Sequence, residues 1–251
     1  MSSLYFECND GISGDMAVSA LLDLGADRQK LEKALDSLKL EDEFSYEIKD
    51  VMVNSIKACD FNVIIKEHYF DDNHHQHSMH HHMHRNLEEV LKIIGRAEAS
   101  VGAKELAEKI FKITAEAESA VHKKDINEVH FHEIGAIDSV ADVLAFSVLF
   151  DDLNPEKVYF KTVTEGTGSI KCAHGVMSVP VPAVCEIAAK YKLPLKITNN
   201  KGEMITPTGA SIAAALYTGE KLPEPLIIQK TGYGAGKRPY PNPVLRVMKI
   251  D

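Results

Sequence analysis

SLYFECNDGISGDMAVSALLDLG, residues 3–25, decides how the rest of the chain is read. Its first six residues are mostly apolar or aromatic and suit a short strand. NDGISGD then turns the chain through two glycines, and MAVSALLDL carries a helical apolar spacing that Gly25 closes. A strand that runs through a glycine turn straight into a helix opens a layered arrangement of helices on a sheet. Working outward, a second helix is expected over about 27–39. FSYEIKDVMV and IKACDFNVIIKE, split by Asn54-Ser55, read as a hairpin. From Asn86 onward LEEVLKIIGRAEAS and AKELAEKIFKITAEAESAVH carry an i, i+3, i+4 stripe. A helix over 134–150 is apolar nearly all round, hence buried. Beyond it come strand KVYFKTV, hairpin-like SIKCAHGVMSV, helices from PAVCEIAAK and TGASIAAALY, and strands LIIQKTGYG and NPVLRVMKI. The expected class is α/β or α+β: a mixed sheet with interleaved helices and a helical segment following a His-rich loop. Periodicity leaves the strand order open. No repeat or linker divides the chain, so a single domain over 1–251 with an unstructured His-rich loop at 68–84 is expected.

At 251 residues, 45% hydrophobic and 26% charged, the composition is that of an ordinary globular protein able to bury a full core. A formal charge of −9, with no Lys/Arg stripe, disfavours nucleic acid as a partner. The N-terminus lacks the basic flank and apolar stretch of a signal peptide, and the best apolar run, VLAFSVLF at 143–150, is far too short to span a membrane. Cys8, Cys59, Cys172 and Cys185 form no C-x-x-C pair, which suits free thiols in the cytoplasm. A homo-oligomer is compatible with all of this.

Seven of the 12 histidines fall within 74–84. His74, His75, His77, His80, His81, His82 and His84, with His68 upstream, offer imidazoles to nickel, zinc or copper in several alternative sets. An expression tag would sit at a terminus, so the run reads as native; a solvated low-complexity loop is the other reading. In HFHEIGAIDSVAD, 130–142, His130 and His132 share one side of an extended segment, while Asp138 and Asp142 share one helix face. With Glu133 they could hold a divalent metal or supply a general base. They could equally cap and fill a buried helix. Cys172 and His174 in KCAHG form a softer ligand pair, or an inert thiol beside a histidine. DGISGDM presents Gly11, Ser13 and Gly14 as a phosphate-loop-like turn, but Asp10 and Asp15, with Glu7 upstream, would repel a phosphate unless a cation intervened. A carboxylate metal site including Asp15, or a plain tight turn, are the competing readings. TPTGA offers Thr206, Thr208 and Gly209 as a helix start with exposed amides. GYGAGKRP sets glycines beside Lys237 and Arg238, for an anion contact or an ordinary loop.

Taken in order and spacing, DGISGDM, the histidine run ending in HRNL, EVHFHEIGAIDS, GSIKCAHG, ITPTGA and GYGAG resemble the LarC family of nickel insertion proteins, over essentially the whole chain. The resemblance implies a nickel chelatase, a cyclometallase of the lyase class. It would insert nickel into pyridinium-3,5-bisthiocarboxylic acid mononucleotide through two nickel–sulfur bonds and one nickel–carbon bond, to make the nickel-pincer cofactor of lactate racemase. It also implies CTP with Mn or Mg. The family's C-terminal CTP-binding region has no counterpart in these residues, so a separate C-terminal partner chain is expected to supply it. ECND precedes GISGDM where the family commonly has Asp-Cys-Phe-Ser, so Glu7 stands in for an acid there. On this reading His130, His132, Glu133 and Asp138 are catalytic. Gly11, Ser13, Gly14, Thr206, Thr208 and Gly209 bind the nucleotide, and the histidine run, Asp15, Asp142, Cys172 and His174 handle metal. A non-catalytic nickel store or metallochaperone, and a metal-dependent phosphohydrolase using Glu7, Asp15, Asp138 and Asp142, are the alternatives.

Overall fold

The computed structural model describes residues 2–66, 85–126, 137–172, 175–238 and 243–251. The opening stretch forms as its pattern predicts. Strand β1 (Ser3–Cys8) enters the glycine turn and leaves it as helix α1 (Gly14–Leu24), which ends on Gly25 in the left-handed region at φ 107°. Helix α2 (Arg28–Asp36) follows, its first turn capped by Asp27, whose carboxylate accepts from the Gln29 N–H. The hairpin of β2 (Phe44–Val53) and β3 (Ile56–Ile65) pairs Val53 with Ile56. Asn54 and Ser55 both take positive φ at its tip, the geometry of a two-residue type I′ turn.

Helix α3 (Leu87–Arg96) begins with a capping box between Asn86 and Glu89, and α4 (Val101–His122) begins at Ser100, whose Oγ accepts from Ala103. The buried helix α5 (Ile137–Leu153) matches the apolar run; the start expected for it at 134 lies outside the described residues, as does the His-rich loop. Strand β4 (Val158–Cys172) runs 15 residues, joining the expected strand KVYFKTV to the first arm of the hairpin-like SIKCAHGVMSV. Gly166 there reflects a close backbone approach: a Cβ would lie 2.0 Å from the Gly202 carbonyl oxygen at the end of β6 (Leu195–Lys201). Between β4 and β6 lie β5 (Gly175–Val179) and α6 (Pro182–Tyr191). Helix α7 (Pro207–Leu216), β7 (Ile228–Ala235) and β8 (Val244–Ile250) complete the described elements.

The strands order as β2-β3-β7-β8-β1-β4-β5, with β6 also on β4. Pairs β3/β7, β1/β4 and β4/β6 are parallel and the rest antiparallel, so the class is a mixed α+β fold with interleaved helices. One contiguous core joins buried residues of all seven described helices to Leu4, Phe6 and Cys8 of β1, Phe61 of β3, Phe160 of β4 and Leu245 and Val247 of β8. Phe6 stacks on Phe160 at 5.1 Å between centroids and meets Phe146 of α5 edge-on. On the other face Tyr5, Tyr159, Met248 and Ile250 form a small cluster covered by Leu222 and Leu226. Among the described residues no helix is long and apolar enough to cross a membrane.

Candidate functional site

The turn after β1 is held by backbone rather than by side chains. The Ile12 N–H donates to the Met204 carbonyl (3.0 Å) and the Thr206 N–H to the Ile12 carbonyl (3.2 Å), making an isolated parallel bridge between Ile12 and Ile205. Contact this close needs glycine on both sides. Gly11 sits at φ +88° where a Cβ would lie 1.9 Å from the Met204 oxygen, and a Cβ on Gly209 would lie 2.1 Å from the Ile12 oxygen. The two motifs DGISGD and ITPTGA, almost two hundred residues apart in sequence, are thereby locked together.

Around this joint opens a cavity of about 540 Å³. Asp10, Ser13, Gly14, Asp15 and Met16 line it from the turn and first turn of α1, and Asp138, Ser139 and Asp142 from the start of α5. Ile170, Lys171 and Cys172 contribute from the end of β4, Glu203, Met204, Thr206, Pro207 and Thr208 from the approach to α7, and Gly236, Lys237 and Arg238 from the segment after β7. Among the predicted site residues, Ser13, Gly14, Asp15, Asp138, Asp142, Cys172, Thr206 and Thr208 therefore meet. Gly11 and Gly209 do not line the cavity; they make the joint behind it. His130, His132, Glu133, His174, His68 and the histidines of 74–84 lie outside the described residues.

Asp138 and Asp142 line the same cavity because they stand one turn apart on α5. Asp142 presses on α1 so closely that a Cβ on Gly14 would lie 2.5 Å from its Oδ2, and it accepts a hydrogen bond from the Asp15 backbone N–H. Burial pushes its carboxyl well above the usual carboxylate range, with the charges of Asp15 and Asp138 adding to the rise and Lys237 opposing it. Asp15 accepts from Ser13 Oγ and from the Met16 N–H (2.9 Å), and its Oδ2 lies 3.0 Å from Lys237 Nζ. Arg238 pairs with Glu203, which is 4% exposed. The lining thus carries five carboxylates against three cations, Lys171, Lys237 and Arg238. Two of those cations are already paired with two of the acids, Lys237 with Asp15 and Arg238 with Glu203. Among the described residues no three His, Cys, Asp or Glu form a ready-made metal site.

Three features escape a reading of the sequence. Glu7 faces away from the cavity, because Leu4, Phe6 and Cys8 take the core side of β1, and it pairs with Arg246 on the opposite face. The glycines of GYGAG serve packing: a Cβ on Gly232 or Gly234 would lie 2.3 or 2.0 Å from a carbonyl oxygen of α1. Buried Glu203, on the cavity wall, is preceded by no recognisable motif.

A family model described as nickel insertion protein matches residues 4–250. The chain belongs to the nickel insertion protein family. Among curated members, proteins named pyridinium-3,5-bisthiocarboxylic acid mononucleotide nickel insertion protein are similar to it. One from Alkaliphilus metalliredigens is 44% identical, covering 100% of this chain and 61% of its own length. One from Acetivibrio thermocellus is 42% identical, covering 95% and 57%. One from Geobacillus kaustophilus is 38% identical, covering 99% and 59%. The chain therefore spans about 61% or less of these family members. No solved structure gives a significant match.

Proposed function

We propose that this chain is the nickel-handling part of an enzyme that inserts nickel into pyridinium-3,5-bisthiocarboxylic acid mononucleotide, a step toward the nickel-pincer cofactor. The observation that carries the reading is the convergence on one cavity of residues from five family motifs or directly beside them, at 10–16, 138–142, 170–172, 203–208 and 236–238, in a chain 44% identical to a protein of that name. The carboxylate-rich lining receives nickel as substrate. Cys172 on its lining is a soft ligand, and Lys171, Lys237 and Arg238 face the anionic groups of the nucleotide. Making a nickel–carbon bond breaks a carbon–hydrogen bond and releases a proton. Asp138, with His130, His132 and Glu133, is the assigned acceptor set. The histidines at 68–84 gather nickel for the cavity.

Among the described residues no three His, Cys, Asp or Glu side chains are pre-arranged as a metal site, so no residue of the cavity wall is assigned here to a resident Mn or Mg ion. CTP and its cation belong in this proposal to a C-terminal partner chain. The test mixes purified chain, nickel, CTP, Mn and the pincer precursor, with and without the unmatched part of the Alkaliphilus metalliredigens relative, and follows the nickel product by mass spectrometry. Product is expected only in the complete mixture. Insertion without the partner would overturn the division of labour, and absence of product from both mixtures would overturn the enzymatic reading.

A further inference from the structure

Glu165 belongs to none of the motifs above. It lies on β4 at the bulge where the pairing with β6 shifts register, and it is fully buried. Its Oε1 accepts three backbone hydrogen bonds, from Gly166 (2.7 Å), Met204 (2.6 Å) and Ile205 (3.2 Å). Its Oε2 has no hydrogen-bond partner among the described residues. Met204 and Ile205 lie in the irregular segment between β6 and α7, so their N–H groups have no ladder to join, and a buried N–H left unmade costs about 1–3 kcal/mol. The same segment accepts from Ile12, donates back to it, and continues into Thr206 at the start of α7.

We propose that Glu165 is a positioning residue: one carboxyl oxygen clamps the Met204–Ile205 backbone and, through the Ile12 joint, fixes both the Asp10–Asp15 turn and the α7 N-terminus around the cavity. The idle Oε2 shows what the clamp requires. A single acceptor oxygen at the right reach suffices, and a second oxygen or a negative charge adds nothing. Burial pushes the Glu165 carboxyl above its ordinary value, while the three N–H groups and the charge of Arg238 pull it down. An apolar side chain of similar size would fill the space and leave all three N–H groups without that acceptor.

The effect on catalysis rests on the nickel-insertion reading, whereas the clamp does not, and the experiment separates them. Glu165→Gln, Glu165→Leu and Glu165→Asp are made in the full chain. Amide hydrogen exchange at Gly166, Met204 and Ile205 is read by NMR, and kcat and KM for insertion are read in the reconstituted mixture. Glu165→Gln keeps the acceptor and is expected within about threefold of the parent in exchange and kcat. Glu165→Leu is expected to keep its circular dichroism, to exchange Met204 and Ile205 at least ~10-fold faster, and to lose ~10- to ~100-fold in kcat that excess nickel does not restore. Should the leucine variant fail to fold, Glu165→Asp decides, since its charge is intact but its reach is one methylene short, and it is expected to lose the same protection. Parent-like protection in the leucine or aspartate variant overturns the clamp, as does a glutamine variant damaged as badly as leucine. A parent chain that inserts no nickel overturns the functional reading while the exchange data still decide the clamp.

Discussion

Two glycine-to-alanine substitutions, both inside helices, should move stability in opposite directions. Gly95 in α3 is exposed, and a Cβ there meets nothing within 4 Å. Gly95→Ala gains helix propensity alone, about 0.5–1 kcal/mol. Gly209 in α7 gains at most the same ~1 kcal/mol. Its Cβ would, however, lie 2.1 Å from the Ile12 oxygen, 2.6 Å from the Ile12 carbonyl carbon and 3.0 Å from Ser13 Cα, all of them backbone atoms that cannot rotate aside. The turn must withdraw by roughly 1 Å, a strain of about 1–3 kcal/mol by analogy with overpacked cores. The shift also stretches the Ile12–Met204 and Thr206–Ile12 hydrogen bonds of 3.0 and 3.2 Å beyond useful length, at ~1 kcal/mol each. Gly209→Ala should therefore be destabilised by about 2–4 kcal/mol net, a fall in melting temperature of roughly 5–15 °C for a chain of this size. Urea denaturation followed by circular dichroism measures both variants. If Gly209→Ala is neutral or stabilising, or if the two variants move together, the turn and α7 are not joined as described.

The Asp142 carboxyl has a raised folded-state pKa, so the stability it contributes is fully present below the unfolded carboxylate value, about 4, and is lost as pH rises through the folded value. In the presence of chelator, the stability of Asp142→Asn minus that of the parent should grow with pH across that window; parallel curves would contradict the placement. In a carbon-13 NMR titration, Asp15→Asn should bring Asp142 down toward the ordinary range and Lys237→Met should push it further up, because those charges act in opposite senses. Cys172 lines the cavity and Cys185 is exposed elsewhere, so nickel should slow alkylation of Cys172 by iodoacetamide and leave Cys185 unchanged. Equal protection of both would remove Cys172 as a ligand. Replacing residues 71–82 with a Gly/Ser linker should leave insertion near normal at saturating nickel and impair it at limiting nickel. His130→Ala, His132→Ala and Glu133→Gln should impair it at every nickel level. Rescue of the latter by excess nickel would reverse the two assignments.

Elements whose cause is local are legible in the residues themselves. The β2/β3 hairpin follows from alternation and two turn residues at positive φ, and the pairing of Asp138 with Asp142 on one face follows from the helical repeat. Family motifs too can be read in one dimension, since each is a short run of unusual residues. What the sequence could not supply was set by atoms distant along the chain. β6 reads LKITNNK, too polar to announce a strand, and pairs only because β4 runs beside it. Gly166 and Gly11 look like breaks or loop glycines until the Gly202 and Met204 carbonyls are seen pressed against them. Glu7 falls on the far side of β1 because the helices cover the face of Phe6 and Cys8, a choice made by packing and not by the acid itself. Glu165 carries no signal at all, because its three donors come from backbone N–H groups, which every residue except proline has and which only the tertiary fold can aim at one oxygen.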